Sequence, residues 1–157
     1  MDIKTINWKR IKTVQKLHRF LYSIGFGPIL GHLILLLTTI GRKSGKKRIT
    51  PLQYEIIENK YVFGAARGAQ ADWVQNILKN PLVEIQVKNL RLTGFAEVNT
   101  DPGRVADFLE TRLTRHPFMM GLLMEKIHHL PRRPSRAQLL ELASKEVIVL
   151  ITISEGA

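Results

Sequence analysis

Leu35-Leu-Leu-Thr-Thr-Ile-Gly-Arg-Lys-Ser-Gly-Lys-Lys-Arg-Ile-Thr-Pro-Leu52 is the stretch on which the reading of this chain turns. Its aliphatic start, with Leu33 and Ile34 before it, has the length of a buried strand running to Ile40. Gly41 and Gly45 bracket a tight turn. Beyond it Ile49, Leu52, Tyr54, Ile56 and Ile57 form a second apolar run, so the two runs are expected to pair as a hairpin. Arg42, Lys43, Lys46, Lys47 and Arg48 crowd the turn with positive charge, and Ser44 adds a hydroxyl donor. Glycines that let backbone amides converge, fixed charge and a bidentate guanidinium together suit an oxyanion. A solvated basic turn is the plainer alternative on this segment alone.

Outward from the hairpin, Glu58-Asn59-Lys60 is a second tight turn and Tyr61 to Ala66 a third strand. The small-residue loop Ala65 to Ala71 follows. Asp72 is a plausible N-cap for a short helix through Leu78, stopped by Asn80-Pro81. Val83, Ile85 and Val87 alternate as a strand, Lys88-Asn89 turns, and Arg91 to Asn99 returns. Thr100-Asp101-Pro102 opens a helix to about Arg115, Pro117 to Leu130 reads as a second, and Ser135 to Ala143 as a third. Val147 to Ile153 is a closing core strand. Tight turns between successive strands predict a mostly antiparallel sheet. The expected fold is α+β: six strands in a small barrel or curled sheet with flanking helices.

In front of the hairpin, Ile3, Ile6, Ile11, Val14, Leu17, Phe20, Leu21 and Ile24 recur at helical spacing, with Lys4, Lys9, Arg10, Lys12, Lys16 and Arg19 opposite. Residues 1–28 are thus an expected N-terminal amphipathic helix and 29–157 the body of one domain. The helix either packs on the body or lies on the inner face of the cell membrane with Trp8 at the interface. The chain has 157 residues, 45% of them hydrophobic and 24% charged, a globular composition. Its net charge of +11 asks for an anionic partner, whether phosphorylated cofactor, lipid or nucleic acid. With no cysteine, disulfides and thiolate chemistry are excluded. The N-terminus lacks a signal-peptide pattern, and aliphatic runs such as Leu33 to Leu37 fall far short of a membrane span, so a cytoplasmic chain is expected.

Several common chemistries have no signature here. No G-x-G-x-x-G follows a strand. The run Gly41 to Lys47 is one residue too short between its glycines for a P-loop and links two strands. His18, His32, His116, His128 and His129 form no metal-ligand spacing, so no metal is expected. No glycine-flanked serine of the nucleophile-elbow type occurs. Trp73 and Asn76, three apart on one helix face, could wall a slot for a flat ring beside the loop Ala65-Ala66-Arg67-Gly68-Ala69.

The hairpin stretch resembles the deazaflavin-dependent nitroreductase and quinone reductase family, within the split-barrel flavin and deazaflavin oxidoreductases. The pattern continues through Tyr61-Val-Phe-Gly-Ala-Ala-Arg-Gly68, Trp73-Val-Gln-Asn76 and Asn80-Pro-Leu-Val-Glu-Ile-Gln-Val87. The resemblance implies a six-stranded, FMN-binding-like split barrel and coenzyme F(420). It implies that Arg42, Lys43, Ser44, Gly45 and Arg48 hold the phosphate and acidic tail, that Thr50 and Pro51 line the path to the ring, that Ala65, Ala66, Arg67 and Gly68 follow it, and that Trp73 and Asn76 close the pocket. Ala66-Arg67-Gly68-Ala69 departs from the family's usual Ser-Lys-Gly-Gly. The implied reaction is hydride transfer to a small electron-poor acceptor, a quinone, enone or nitro compound. Tyr54 and His116 are the candidate proton donors, and Phe118 to Met124 a candidate roof. The alternatives are FMN or haem in the same fold, or a non-enzymatic basic binding protein; nucleic acid is not the expected partner. The chain is expected to be a monomer or a homodimer.

Overall fold

A computed structural model describes residues 34–65, 67–87 and 90–154. The amphipathic helix expected over residues 2–24, Ala66 and the Lys88-Asn89 turn lie outside the described residues. Seven strands and four helices follow one another: β1 (Ile34–Ile40), β2 (Lys47–Gln53), β3 (Glu55–Ile57), β4 (Lys60–Ala65), a 3₁₀ turn (Gly68–Gln70), α1 (Asp72–Lys79), β5 (Leu82–Val87), β6 (Leu90–Asn99), α2 (Pro102–Arg115), α3 (Pro117–Lys126), α4 (Arg136–Ala143) and β7 (Val147–Ile153). Among these helices none is long and apolar enough to cross a membrane.

The strands form one sheet in the order β2-β1-β5-β6-β7-β4-β3, every neighbour antiparallel. Its two edge strands, β2 and β3, are separated in sequence by Tyr54 alone. Edges so close along the chain require the sheet to curl into a split, half-closed barrel. This corrects the expected strand count from six to seven. The second apolar run is continuous in sequence, but it pairs with β1 as far as Gln53↔Ile34 and with β4 from Glu55↔Val62 onward. A strand that changes partners has to bend between them, and it does so at Tyr54. Pro51 is tolerated because β2 is an edge strand, where a missing N–H breaks no second ladder.

Local chemistry sets the other boundaries. Glu58 and Asn59 both take positive φ, 50° and 62°, which suits the right-handed twist of the β3–β4 hairpin. The Asp101 carboxylate accepts from the Gly103 amide at 3.3 Å and Pro102 starts α2. Ser135 and Gln138 close a reciprocal capping box on α4. Pro117 to Leu130 is helical only to Lys126; His129, with φ 54°, reverses the chain beyond.

Strand alternation sorts the core into two layers. Leu35, Leu37, Phe63, Val83, Ile85, Val149 and Ile151 point into the barrel, where they share one buried cluster with Ile77 of α1. Val62 and Ile148, facing the other way, meet α2, α3 and α4 through Phe108, Leu109, Met119, Met120, Met124 and Leu139. The Met-rich stretch is therefore core of the helical layer, except for Phe118, which is 65% exposed.

Candidate functional site

The β1–β2 turn stands over the N-terminal half of α1, and between them opens a cavity of about 750 Å³. Two backbone bonds fold the turn back on itself: the Gly41 amide donates to the Lys46 carbonyl at 2.7 Å and the Gly45 amide to the Gly41 carbonyl at 2.8 Å. Gly45 has φ +69°, the left-handed region that glycine occupies without a Cβ penalty. At Gly41 a Cβ would lie 2.6 Å from Ser44 Oγ, which itself accepts from the Lys46 amide at 3.2 Å.

Asn76 fastens the turn to the helix. Its Nδ2 donates to Thr39 Oγ1 at 3.2 Å, while its Oδ1 accepts from both the backbone amide and the NH1 of Arg42, each at 3.1 Å. Arg42 NH1 also donates to the Asp72 carbonyl at 3.3 Å, and NH2 to Asp72 Oδ1 at 3.0 Å. Lys79 Nζ donates to the Arg42 carbonyl at 3.2 Å. Arg42 thus sits in the cavity wall with its guanidinium already held from below.

The wall is strongly basic. Besides Arg42 it includes Lys43, Lys47, Arg48 and Arg67; its single carboxylate among the described residues is Asp72. Lys47 reaches Glu84 at 3.9 Å, a loose and exposed pair. Lys43, Arg48 and Arg67 have no ion-pair partner among the described residues. Trp73 adds a flat apolar surface to the wall. It is half-buried, and its ring is tilted against Phe63 of the barrel core at 5.6 Å between centroids, which fixes its plane.

Of the expected site residues, Arg42, Lys43, Ser44, Arg48, Thr50, Arg67, Trp73 and Asn76 come together around this cavity. Gly45 shapes the turn without lining the cavity. Pro51 lies one residue further along β2, also outside the wall. Ala65 is packed under α1 with Ala71, Val74 and Val147. Gly68 has φ +61°, and a Cβ there would lie 2.8 Å from the Lys145 carbonyl, so close packing on the approach to β7 accounts for this glycine. Lys47 was expected only as one of the cations of the basic turn, and nothing in the sequence marked Ile49, Ala71 or Asp72 as lining the site. Asp72 is also not the N-cap it was expected to be. It is the first residue of α1, Ala71 holds the cap position with no side-chain bond, and the Asp72 carboxylate turns to Arg42 instead.

Neither Tyr54 nor His116 lines the cavity. Tyr54 is buried in the barrel core beside Tyr61, at 5.6 Å between rings, and burial first, then the charges of Tyr61 and Glu55, holds its phenol above the usual range. His116 belongs to a separate cluster outside the barrel. There the buried Glu55 carboxylate meets Arg115 NH1 at 3.1 Å, Arg112 Nε at 3.5 Å and His116 Nε2 at 2.8 Å. The last two contacts have ion-pair distance but not hydrogen-bond direction, leaving Glu55 Oε1, Arg112 Nε and His116 Nε2 without a directed partner. Arg112 NH2 does donate to Gln53 Oε1 at 2.9 Å. The cluster ties β3 to the α2–α3 junction.

Solved structures of similar shape agree with this fold. A conserved hypothetical protein from Mycobacterium tuberculosis is 15% identical, with a TM-score of 0.53 over 90% of this chain and 80% of that one. A protein described as an F(420) reductase is 16% identical, with a TM-score of 0.51 over 83% and 94%. A structure described as a domain-swapped dimer is 22% identical, with a TM-score of 0.51 over 93% and 98%. At these identities the likeness concerns the fold. The family is decided by sequence: residues 10–117 match the model of the F420H(2)-dependent quinone reductase family, more than half of the chain, and the protein belongs to that family.

Proposed function

We propose that this chain is an oxidoreductase that holds coenzyme F(420) in the cavity between the β1–β2 turn and α1, and reduces a quinone, a conjugated enone or a nitro-aromatic. One observation carries the reading. One cavity of about 750 Å³ is lined both by Lys43, Arg48 and Arg67, cations with no ion-pair partner among the described residues, and by the flat face of Trp73, the two kinds of surface that a cofactor with an acidic tail and a flat ring requires. Its volume lies within the range of small-molecule sites.

The donor set fits such a group. Lys43 and Arg48, with Ser44 between them, would hold phosphate and carboxylates; Lys47 would join by releasing Glu84. Arg67 faces them from the loop before α1. Trp73, Ala71 and Ile49 would exclude water from the ring, and Thr50 would offer it a hydroxyl. When bound, the reduced coenzyme supplies a hydride. The protein's part is to fix the plane on which the acceptor stacks. No described lining residue is a histidine or tyrosine, so neither Tyr54 nor His116 would deliver the proton that follows. The family match favours a deazaflavin over FMN or haem, and cations converging on a concave wall favour a small ligand over nucleic acid. The relative described as a domain-swapped dimer supports a homodimer.

Titration of the purified protein with coenzyme F(420), followed by its fluorescence, tests the reading. Binding is expected to weaken with added salt, and Arg48→Ala to weaken it further while leaving thermal stability nearly unchanged. A wild-type protein that leaves the fluorescence unaltered refutes the proposal.

A further inference from the structure

We infer that Asp72 is a built-in competitor for the anionic ligand, holding Arg42 when the cavity has no anion in it and thereby setting how strongly the site favours highly charged ligands. This rests on reading the cavity as the receptor of an acidic tail. Two side chains hold the Arg42 guanidinium, and they differ in kind. Asn76 is 4% exposed and also accepts from the Arg42 backbone amide, so it fixes where this residue sits. The Asp72 side chain is 85% exposed and meets the guanidinium through one carboxylate oxygen at 3.0 Å. An exposed pair of this sort is worth little and opens readily. Without the carboxylate, Arg42 keeps its bonds to Asn76 and to the Asp72 carbonyl, and stays aimed into the cavity.

A carboxylate at this point duplicates the chemistry of the ligand. Of the five N–H donors of a guanidinium, three are engaged by Asn76 and Asp72. An incoming carboxylate or phosphate that seeks two parallel donors must displace the Asp72 oxygen or bind beside it. In either case one negative charge stands against it among Lys43, Arg48 and Arg67. The opposition grows with the charge of the ligand, so Asp72 is a specificity-determining residue acting through Arg42. The first position of α1 also suits an acid through the helix dipole, and a purely helix-stabilising Asp72 makes the opposite prediction, because losing it would loosen α1 and weaken every ligand.

The test compares wild type, Asp72→Asn and Asp72→Glu, titrated with coenzyme F(420), inorganic tripolyphosphate and orthophosphate at low and high salt. Asp72→Asn is expected to bind coenzyme F(420) and tripolyphosphate roughly two- to fivefold more tightly at low salt, the range of one exposed ion pair, with a smaller gain for orthophosphate. The gain should shrink at high salt. Asp72→Glu should return to wild-type affinity. Weaker or unchanged tripolyphosphate binding by Asp72→Asn overturns the inference, as does an equal gain for orthophosphate. Should Asp72→Asn not fold, Asp72→Ser takes its place. A wild type that binds tripolyphosphate but not coenzyme F(420) sinks the proposed cofactor, and the tripolyphosphate arm still decides the role of Asp72.

Discussion

Replacing Asn76 with alanine should loosen the site and the fold together. The side chain is buried and joins three pieces of structure: the end of β1 through Thr39, the turn through the Arg42 amide, and the guanidinium through NH1. At about 1 kcal/mol net for each of these three bonds, the loss comes to about 3 kcal/mol, and the lost amide volume is small beside it. A domain of this size shifts its melting temperature by about 2–4 °C per kcal/mol, so Asn76→Ala should melt about 6–12 °C below wild type by circular dichroism. The same variant should bind coenzyme F(420) more weakly, since the turn that carries Lys43 and Arg48 is no longer pinned to α1. Asn76→Asp separates the two effects. A carboxylate can accept from the Thr39 hydroxyl and from Arg42, so most of the stability should return, while the added negative charge keeps ligand binding weak. If Asn76→Ala melts within about 2 °C of wild type, the three contacts are not holding the turn, and the account of the site's rigidity is wrong.

The glycines of the turn should behave differently from each other. Gly45→Ala meets no atom within 4 Å and carries only the left-handed backbone cost, about 1–2 kcal/mol by thermal unfolding. Gly41→Ala drives Cβ against Ser44 Oγ, so adding Ser44→Ala should recover part of its loss; no recovery in the double variant would contradict the contact. Glu55→Gln leaves the buried Arg112 without its nearest counter-charge and should cost about 3–5 kcal/mol by urea unfolding, whereas a loss below about 1 kcal/mol would mean the cluster is not a tie. Glu146 is buried 3.8 Å from His128, and burial, only partly offset by Arg112, pushes its carboxyl up to about 7. The folded state therefore holds this proton more tightly than the unfolded chain, and its contribution to stability falls as pH rises from about 4.5 to about 7. Glu146→Gln should gain on wild type across that window, by up to about 3 kcal/mol, and the difference should be flat above it; equal denaturant midpoints at pH 5 and pH 8 would rule this out.

Much of the architecture could be read from short-range chemistry. The alternation of Val83, Ile85 and Val87, the two-glycine turn, the proline at the start of α2 and the Ser135–Gln138 box each involve residues within a few positions of one another, and forces of that range leave a mark in the sequence. The basic turn and the Trp73–Asn76 pair were legible for the same reason, and the family resemblance joined them into one site. Other features depended on the curl of the sheet. Nothing local to Tyr54 distinguishes one strand from two, because the bend arises where one apolar run serves both edges of the barrel. Asp72 reads as a helix cap until the turn, 30 residues earlier in the chain, is brought over it and Arg42 offers a charged donor in place of a backbone amide. Tyr54 and His116 carry the chemistry of proton donors, but their places, in the barrel core and beside Glu55, were set by which face of each element the packing turned inward. Local pattern determined which elements form; the side chains that meet across the cavity were decided only when the sheet curled and carried α1 under the turn, since contacts between residues far apart in sequence are fixed by packing and leave no periodicity behind.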